Sequence, residues 1–254
     1  MLGTIVGNID LAMVSLVLFT VFFFGLVVYL QMENSREGFP LEDDKGGSAP
    51  NPGLFPAPSP KTFKLPHGLG DVTVPSGDTD RDRSFAMEQT NEITGMPFVP
   101  TGNPLVDGVG PAAWAERRDA PELDGHGHPK IVPMRTVEAF SVSAGRDPRG
   151  LPVHSADGEV VGTVSDMWID GPEHLVRYLE FDLAGDAGSR LVPIQLANIK
   201  SNSVAIHALH SPHFSNIPQH KSSDQVTLLE EEKICAYYCG GKLYSSEDRL
   251  ETQI

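Results

Sequence analysis

The sequence predicts a single N-terminal transmembrane α-helix, a mainly β domain folded as a small antiparallel barrel, and a short C-terminal helix. Three observations lead to this fold class. A long stretch near the N-terminus carries no charge, proline and glycine crowd the part that follows, and short apolar runs separated by turn residues fill much of the remainder. We divide the chain into an N-terminal segment, the transmembrane helix, an extended Pro/Gly-rich surface segment, the barrel, and a C-terminal helix with its tail, at residues 1–10, 11–30, 31–130, 131–220 and 221–254.

The predicted transmembrane helix has the sequence LAMVSLVLFTVFFFGLVVYL over residues 11–30. At about 1.5 Å per residue this helix is about 30 Å long, which is the thickness of the hydrocarbon core of a bilayer. A cleaved signal peptide fits poorly, because no Lys or Arg precedes the run, the run is too long, and no small-residue cleavage site follows it. A buried helix of a soluble protein rarely stays apolar on every side over this length. We therefore predict a membrane anchor.

The basic residues near the helix predict its orientation. Arg36 and Lys45 follow it, whereas residues 1–30 contain neither Lys nor Arg. The positive-inside rule then places the N-terminus outside and the rest of the chain in the cytoplasm. Almost all of the formal net charge of −15 lies in that cytoplasmic part. This acidic balance argues against a nucleic-acid partner, because phosphate binding requires clustered Lys and Arg.

The proline-rich part of the extended segment allows two interpretations. Proline lacks the backbone N–H and fixes φ, so regular helix or central strand is excluded there. One interpretation is a flexible linker. The other, which we favour because flexible linkers are usually poor in aromatic residues, is a ribbon laid along a partner. Its apolar anchors would be Phe39, Leu54, Phe55, Phe63 and Leu65.

The barrel prediction depends on partial period-2 alternation with β-branched and aromatic residues. Turn signals at Asp157-Gly158 and over Asp186–Ser189 separate the predicted strands. These strands are Val160–Ile169, Val176–Leu183, Arg190–Ile194 and Val204–Ala208.

A helix is expected from about residue 226 to 238, with Asp224 as its N-cap and Gly240-Gly241 as its end. Cys235 and Cys239 share one face of it. Two thiols are too few for a disulfide framework or a metal site, so we interpret both as small buried residues in the reduced state.

Common catalytic signatures such as GxSxG, HExxH, the P-loop and GxGxxG are missing from the sequence. The first candidate cluster is Asp124-Gly-His126-Gly-His128-Pro-Lys130, whose glycines allow the two imidazoles and the Asp124 carboxylate to converge. Two His and one carboxylate form an incomplete zinc-type shell. The same groups could pass protons near neutral pH. A solvated polar loop is the remaining alternative.

The second candidate cluster is Asp170-Gly-Pro-Glu173-His174, with Arg177 just after it. Ordinary turn chemistry accounts for Asp170 and the two residues after it without any function. If this turn were buried against a membrane partner, its two carboxylates could hold protons near neutral pH. Both interpretations stay open.

Several long segments resemble the H subunit of the photosynthetic reaction centre of purple bacteria. They are YLQMENSREGFPLE, KTFKLPHG, PTGNPLVDGVGPAAWAERRDAPELDGHGHPKI and VTLLEEEKICAYYCGG, and the resemblance covers nearly the whole chain. Phe39 stands where the family pattern leads us to expect Tyr. The resemblance implies a non-enzymatic, non-pigment-binding subunit that stabilises the L and M subunits on their cytoplasmic side and helps protons reach the secondary quinone. It also implies that the β domain is a PRC-barrel.

The resemblance further implies roles for individual residues. The surface end of a proton path would be Asp124, His126 and His128, which could also bind an inhibitory divalent metal. Asp170 and Glu173 would be interior acids, and Arg177 would tune their charge.

The surroundings that the resemblance implies are a chromatophore membrane with a periplasmic N-terminus. Expected partners are L and M, membrane lipids and the surrounding light-harvesting complex. This chain alone would hold no cofactor; L and M would hold bacteriochlorophyll, bacteriopheophytin, quinones, non-haem iron and carotenoid. Two alternatives are a membrane-anchored metal-dependent hydrolase centred on His126 and His128, and a membrane-tethered adaptor whose barrel binds a soluble protein.

Overall fold

The computed structural model describes most of the chain outside the proline-rich segment, namely residues 4–6, 9–36, 38, 41, 53–56, 58–76, 84–143, 145–185 and 187–250. Phe39 and Lys45 lie outside the described residues, as does Asp186 in a predicted turn. The chain forms two compact units, one of residues 1–83 with 93–95 and the other of residues 84–92 with 96–254.

The first unit contains the predicted membrane helix, α1, at Leu11–Asn34. Two short strands, β1 (Thr4–Val6) and β2 (Ile9–Asp10), precede it. The Asp10 side chain caps α1 by accepting a hydrogen bond from the Met13 backbone at 2.7 Å. No residue of α1 is buried, and it is long and apolar enough to cross a membrane. The helix runs four residues past the predicted end, because the polar residues that follow are compatible with helix.

Arg36 ties the end of α1 to a hairpin of the same unit. Its guanidinium forms a two-bond ion pair with Glu33, at 2.6 and 2.7 Å, and donates to the carbonyls of Ser59 and Val74 at 2.7 and 3.0 Å. The hairpin pairs β3 (Lys61–Lys64) with β4 (Asp71–Val74). The segment predicted as an extended ribbon therefore contains regular antiparallel pairing.

The second unit begins with a similar hairpin of β5 (Met87–Gln89) and β6 (Phe98–Pro100). A short helix, α2 (Pro104–Asp107), and a 3₁₀-helix at Gly110–Ala112 follow. Pro111 lies in the first positions of this 3₁₀ turn, where its fixed φ suits the start of a helical turn.

The main sheet of the second unit contains the strands β7 Ile131–Pro133, β8 Pro152–His154, β9 Val160–Asp170, β10 Leu175–Leu183, β11 Ser189–Pro193, β12 Ala197–Ile199 and β13 Val204–Ile206. It is a curled sheet with the strand order β11-β10-β9-β8-β13-β12, and β7 also pairs with β9. This confirms the mainly β domain. The pair of β13 with β8 is parallel, whereas the other pairs of this sheet are antiparallel.

The core of this unit lies against β9 and β10. Trp168, Leu179 and Phe181 are fully buried in it. β9 alternates between exposed and buried residues at its start, but every residue from Asp166 to Asp170 is buried. Its second half is therefore covered on both faces, which places acidic side chains inside the domain.

The C-terminal helix, α3, spans Leu228–Tyr244. Thr227, and not the predicted Asp224, is its N-cap. Thr227 Oγ1 accepts from the Glu230 backbone N–H at 3.2 Å, and the Glu230 carboxylate accepts from the Thr227 N–H at 2.9 Å. The predicted end at Gly240-Gly241 is wrong, because these glycines lie against neighbouring segments and the helix continues. Cys239 is exposed, so the prediction that it is buried is wrong as well.

Candidate functional site

The first candidate cluster lies on a tight loop that leads into β7. Leu123 and Pro129 form an isolated β-bridge at its base. Next to the bridge, the Lys130 N–H donates to the Glu122 carbonyl at 2.8 Å, and the Asp124 N–H donates to the His128 carbonyl at 2.8 Å. The backbone of the loop is therefore fixed by its own hydrogen bonds.

The Asp124 carboxylate organises the inside of this loop. Its Oδ1 accepts from the backbone N–H groups of His126 and His128 at 2.8 and 2.9 Å, and its Oδ2 lies 3.6 Å from His128 Nδ1. The bond from the His128 backbone, followed by that from His126, lowers the pKa of Asp124 below its ordinary value. Asp124 is thus an anion that fixes the backbone of two exposed histidines, whose ring centroids are 6.4 Å apart.

These three side chains do not form a set of metal ligands in the structure. One oxygen of Asp124 is engaged by two backbone N–H groups, and only His128 approaches the other oxygen. Across the described part of the chain, no three His, Cys, Asp or Glu side chains are grouped so that they could hold a metal ion. The inhibitory metal site stays a prediction.

The second candidate cluster lies at the turn between β9 and β10. Asp170, the last residue of β9, is only 1% exposed, and its Oδ1 accepts from the Glu173 backbone at 3.1 Å. The Glu173 side chain is 49% exposed. His174 has a φ of 55°, in the left-handed region, and its ring packs edge-on against Phe140 at 5.2 Å. The turn thus places one acid in solvent and one in the interior.

Lys130 connects the two clusters. Its Nζ lies 3.2 Å from Glu173 Oε1, 3.4 Å from Asp170 Oδ2 and 3.5 Å from Glu122 Oε1. Burial opposes the charged form of Lys130, but the hydrogen bond to Glu173 and the charges of Glu122 and Asp170 outweigh it and raise its pKa. The Lys130 carbonyl also accepts from the Gly171 N–H at 3.0 Å. One cation therefore brings the loop and the turn together.

Sequence reasoning included Lys130 at the end of the first cluster without giving it a role, and it missed Glu122. The available signal was this single Lys after the two His, because buried acids on a neighbouring segment require a cation. Arg177, by contrast, forms no ion pair with any acid that the structure describes. Its charge acts instead on Glu231 of α3, whose carboxylate accepts a hydrogen bond from Tyr178 Oη at 2.6 Å.

Replacing Glu231 by Gln should stabilise the folded protein at neutral pH. Burial raises the pKa of Glu231, against the opposing effects of the Tyr178 hydrogen bond and the Arg177 charge. Folding therefore favours the protonated form of Glu231. The protonated carboxyl contributes its full stability below the pKa that Glu231 has in the unfolded chain, and this contribution is lost as the pH rises through the pKa of Glu231 in the folded protein. The gain from E231Q should be largest near pH 7 and vanish near pH 4. Urea unfolding across this range measures it, and a gain independent of pH would contradict the assignment.

Comparison of the chain with known protein families identifies the family to which it belongs. Residues 3–136, more than half of the chain, match the family described as the photosynthetic reaction centre, H-chain N-terminal region. The chain belongs to this family. Residues 140–209 of this H chain match the PRC-barrel domain, and they include β8 to β13.

The family match indicates in which complex and in which matched regions the candidate site lies. The H chain assembles within a photosynthetic reaction centre complex, and α1 fits a membrane protein with a single span. The Asp124 loop and Lys130 lie within the H-chain match, whereas Asp170, Glu173 and Arg177 lie within the PRC-barrel match. The ion pairs of Lys130 therefore join the two matched regions.

Proposed function

We propose that this H chain binds no pigment, stabilises the L and M subunits on the cytoplasmic side, and conducts protons to the secondary quinone during light-driven electron transfer. The observation that carries this proposal is the connection through Lys130. Lys130 directly follows the loop that carries Asp124 and two solvent-exposed imidazoles, and it pairs with the exposed Glu122 and Glu173 and with Asp170, which is 1% exposed. Groups that exchange protons thus extend from the surface into the interior of one domain.

The chemistry of the quinone requires such a route. Reduction of a quinone to a quinol consumes two electrons and two protons, and the protons must cross a layer of protein. His126 and His128 would collect them from water, since imidazole loads and releases protons near neutral pH. Glu173, half in solvent, and the buried Asp170 would pass them inward. Lys130 would keep these acids from repelling one another before negative charge reaches the quinone.

The anchoring role is supported by α1 and the segment that follows it. We assign the N-terminus to the periplasm and the barrel to the cytoplasmic face of the chromatophore membrane, since the basic residues near α1 follow it. Exposed apolar side chains along the described part of the extended segment are suited to contact L, M and lipid; Leu54 is 89% exposed and Phe63 is 44% exposed. Bacteriochlorophyll, bacteriopheophytin, quinones, iron and carotenoid would lie on L and M, with light-harvesting complex around them.

Replacing Glu173 by Gln should slow proton uptake coupled to reduction of the secondary quinone by about tenfold or more. The amide keeps the size of the side chain and can still contact Lys130, but it cannot carry a proton. The measurement is flash-induced proton uptake by the intact complex, with a pH-indicator dye.

Glu159→Gln is the matched control, because Glu159 is an exposed acid in the turn at the other end of β9. It should leave the uptake rate unchanged. The absorption spectrum of each complex, purified through this chain, shows whether pigmented partners are still assembled. Normal uptake kinetics in an assembled E173Q complex would refute the proton-conducting role, and a colourless preparation of the unaltered chain would refute the partner assignment.

A further inference from the structure

A cavity of about 600 Å³ in the barrel domain carries basic and neutral groups on its walls. Its walls come from the edge strand β12, the residues that follow β13 and the C-terminal end of α3. Lys242 and His207 line it with exposed side chains, and Arg249 lines it with a half-buried one. None of the described residues that line it is Asp or Glu. A cavity of this size has room for a small molecule.

The lining of this cavity differs in charge from the rest of the chain. The sequence has 34 Asp and Glu residues against 19 Lys and Arg residues. Glu247 and Asp248, just before Arg249, are exposed but do not line the cavity. In the part of the chain that the structure describes, no acid forms an ion pair with Lys242 or Arg249. Two cations in one concave site produce a positive potential that attracts an anion.

Hydrogen bonds hold the Arg249 guanidinium at the wall of the cavity. Nη1 donates to the carbonyls of Ala208 and Gly241, at 3.0 and 3.1 Å. It also donates to Ser245 Oγ at 2.9 Å, and Nη2 donates to the His207 carbonyl at 3.0 Å. Carbonyls at the C-terminal end of a helix repel anions, and Arg249 covers one of them at Gly241. All four acceptors are neutral, so the guanidinium keeps its charge for a ligand, and its Nε–H makes none of these bonds.

We propose that this cavity binds a phosphate group. Arginine presents planar N–H donors that match phosphate oxygens, and lysine adds a compact charge. The His207 ring and the amides of Gln195 and Asn198, which also line the cavity, can donate further hydrogen bonds. Donors from several separate elements suit a tetrahedral phosphate better than a planar carboxylate. The site shares no residue with the Asp124 loop or the ion pairs of Lys130, so it does not rest on the proposed proton conduction.

The direct test is a titration of the intact complex in detergent with inorganic phosphate, followed by the line width in phosphorus NMR. We expect saturable broadening with a dissociation constant of about 1 mM or lower. Lys242→Gln removes one exposed cation of the lining and should weaken binding about tenfold. Lys200→Gln is the matched control, because Lys200 is exposed and follows β12 but does not line the cavity. It should weaken binding less than about twofold. No saturable binding, or binding that K242Q weakens no more than K200Q does, would overturn the proposal.

Competition then distinguishes a soluble phosphate compound from a lipid headgroup as the source of the phosphate group. The competitors are glycerol phosphate, a monoester, and glycerophosphoglycerol, the diester headgroup of phosphatidylglycerol. We expect the monoester to displace inorganic phosphate more strongly, because its two charges match Lys242 and Arg249; this result would indicate a soluble ligand. Equal or stronger displacement by the diester would indicate a lipid headgroup. Failure of both compounds to displace inorganic phosphate would overturn the proposal.

Discussion

Replacing Arg135 by Met should lower the free energy of unfolding of the barrel domain by about 3 kcal/mol. Asp166 on β9 and Glu180 on β10 are direct cross-strand partners, and both are buried. Arg135 Nη1 lies 3.1 Å from Asp166 Oδ2 and 2.5 Å from Glu180 Oε2. Without Arg135, two like charges face each other inside the domain. This loss of stability lies at the lower end of the range expected when one partner of a buried ion pair is removed. The reason is that the Arg135 side chain is 42% exposed, so water can partly replace it.

Urea unfolding of the full-length chain in detergent, followed by tryptophan fluorescence, measures this loss. Trp168 reports directly, because its Nε1 donates to Glu180 at 2.9 Å. The matched control is Arg149→Met, which removes an ion pair with Asp147 whose two side chains are each 39% exposed. It should cost less than about 1 kcal/mol. The double variant R135M/E180Q should recover part of the loss. Equal effects of R135M and R149M would contradict this account.

The parts of the fold that the sequence predicted well are those determined by local composition. α1 required only a run of uncharged residues of bilayer length. The strands β9 and β10 required only alternation and turn residues, and their predicted bounds differ from the observed ones by one residue. The parts that it missed depend on distant contacts. Arg135, for example, meets Asp166 and Glu180 from 31 and 45 residues away.

The candidate site shows the same division. The residue types of the Asp124 loop and of the turn after β9 were recognisable, because short motifs of His, Asp and Glu carry their chemistry in the sequence. Their connection was not recognisable, since the ion pairs of Lys130 with Asp170 and Glu173 exist only after β7 pairs with β9 and places Ile131 opposite Asp170. Before folding, Lys130 is one charge among many. After folding it is the cation that three acids share.

α3 illustrates how packing overrides a local signal, and it supports a second prediction. Gly240-Gly241 resembles a helix end, yet the helix passes through both residues. A Cβ on Gly240 would lie 2.5 Å from the Ala112 Cβ, 3.0 Å from the Ala112 Cα and 3.0 Å from Leu105 Cδ2. Glycine is therefore required by the close approach of α3 to the Gly110–Ala112 turn, and not by helix termination.

Replacing Gly240 by Ala should lower the free energy of unfolding by up to about 2 kcal/mol. Alanine gains about 1 kcal/mol of helix propensity, but the overlap with Ala112 involves backbone that cannot rotate away, and overpacking of this kind costs about 1–3 kcal/mol or more. The clash outweighs the propensity. Thermal unfolding by circular dichroism measures the difference. Cys239→Ala, at the exposed neighbouring position, should be neutral. Ala112→Gly in the G240A background should restore part of the stability, because it removes the Ala112 Cβ, the nearest of the three atoms that the new methyl meets. Stabilisation by G240A alone would show that α3 does not approach this turn so closely.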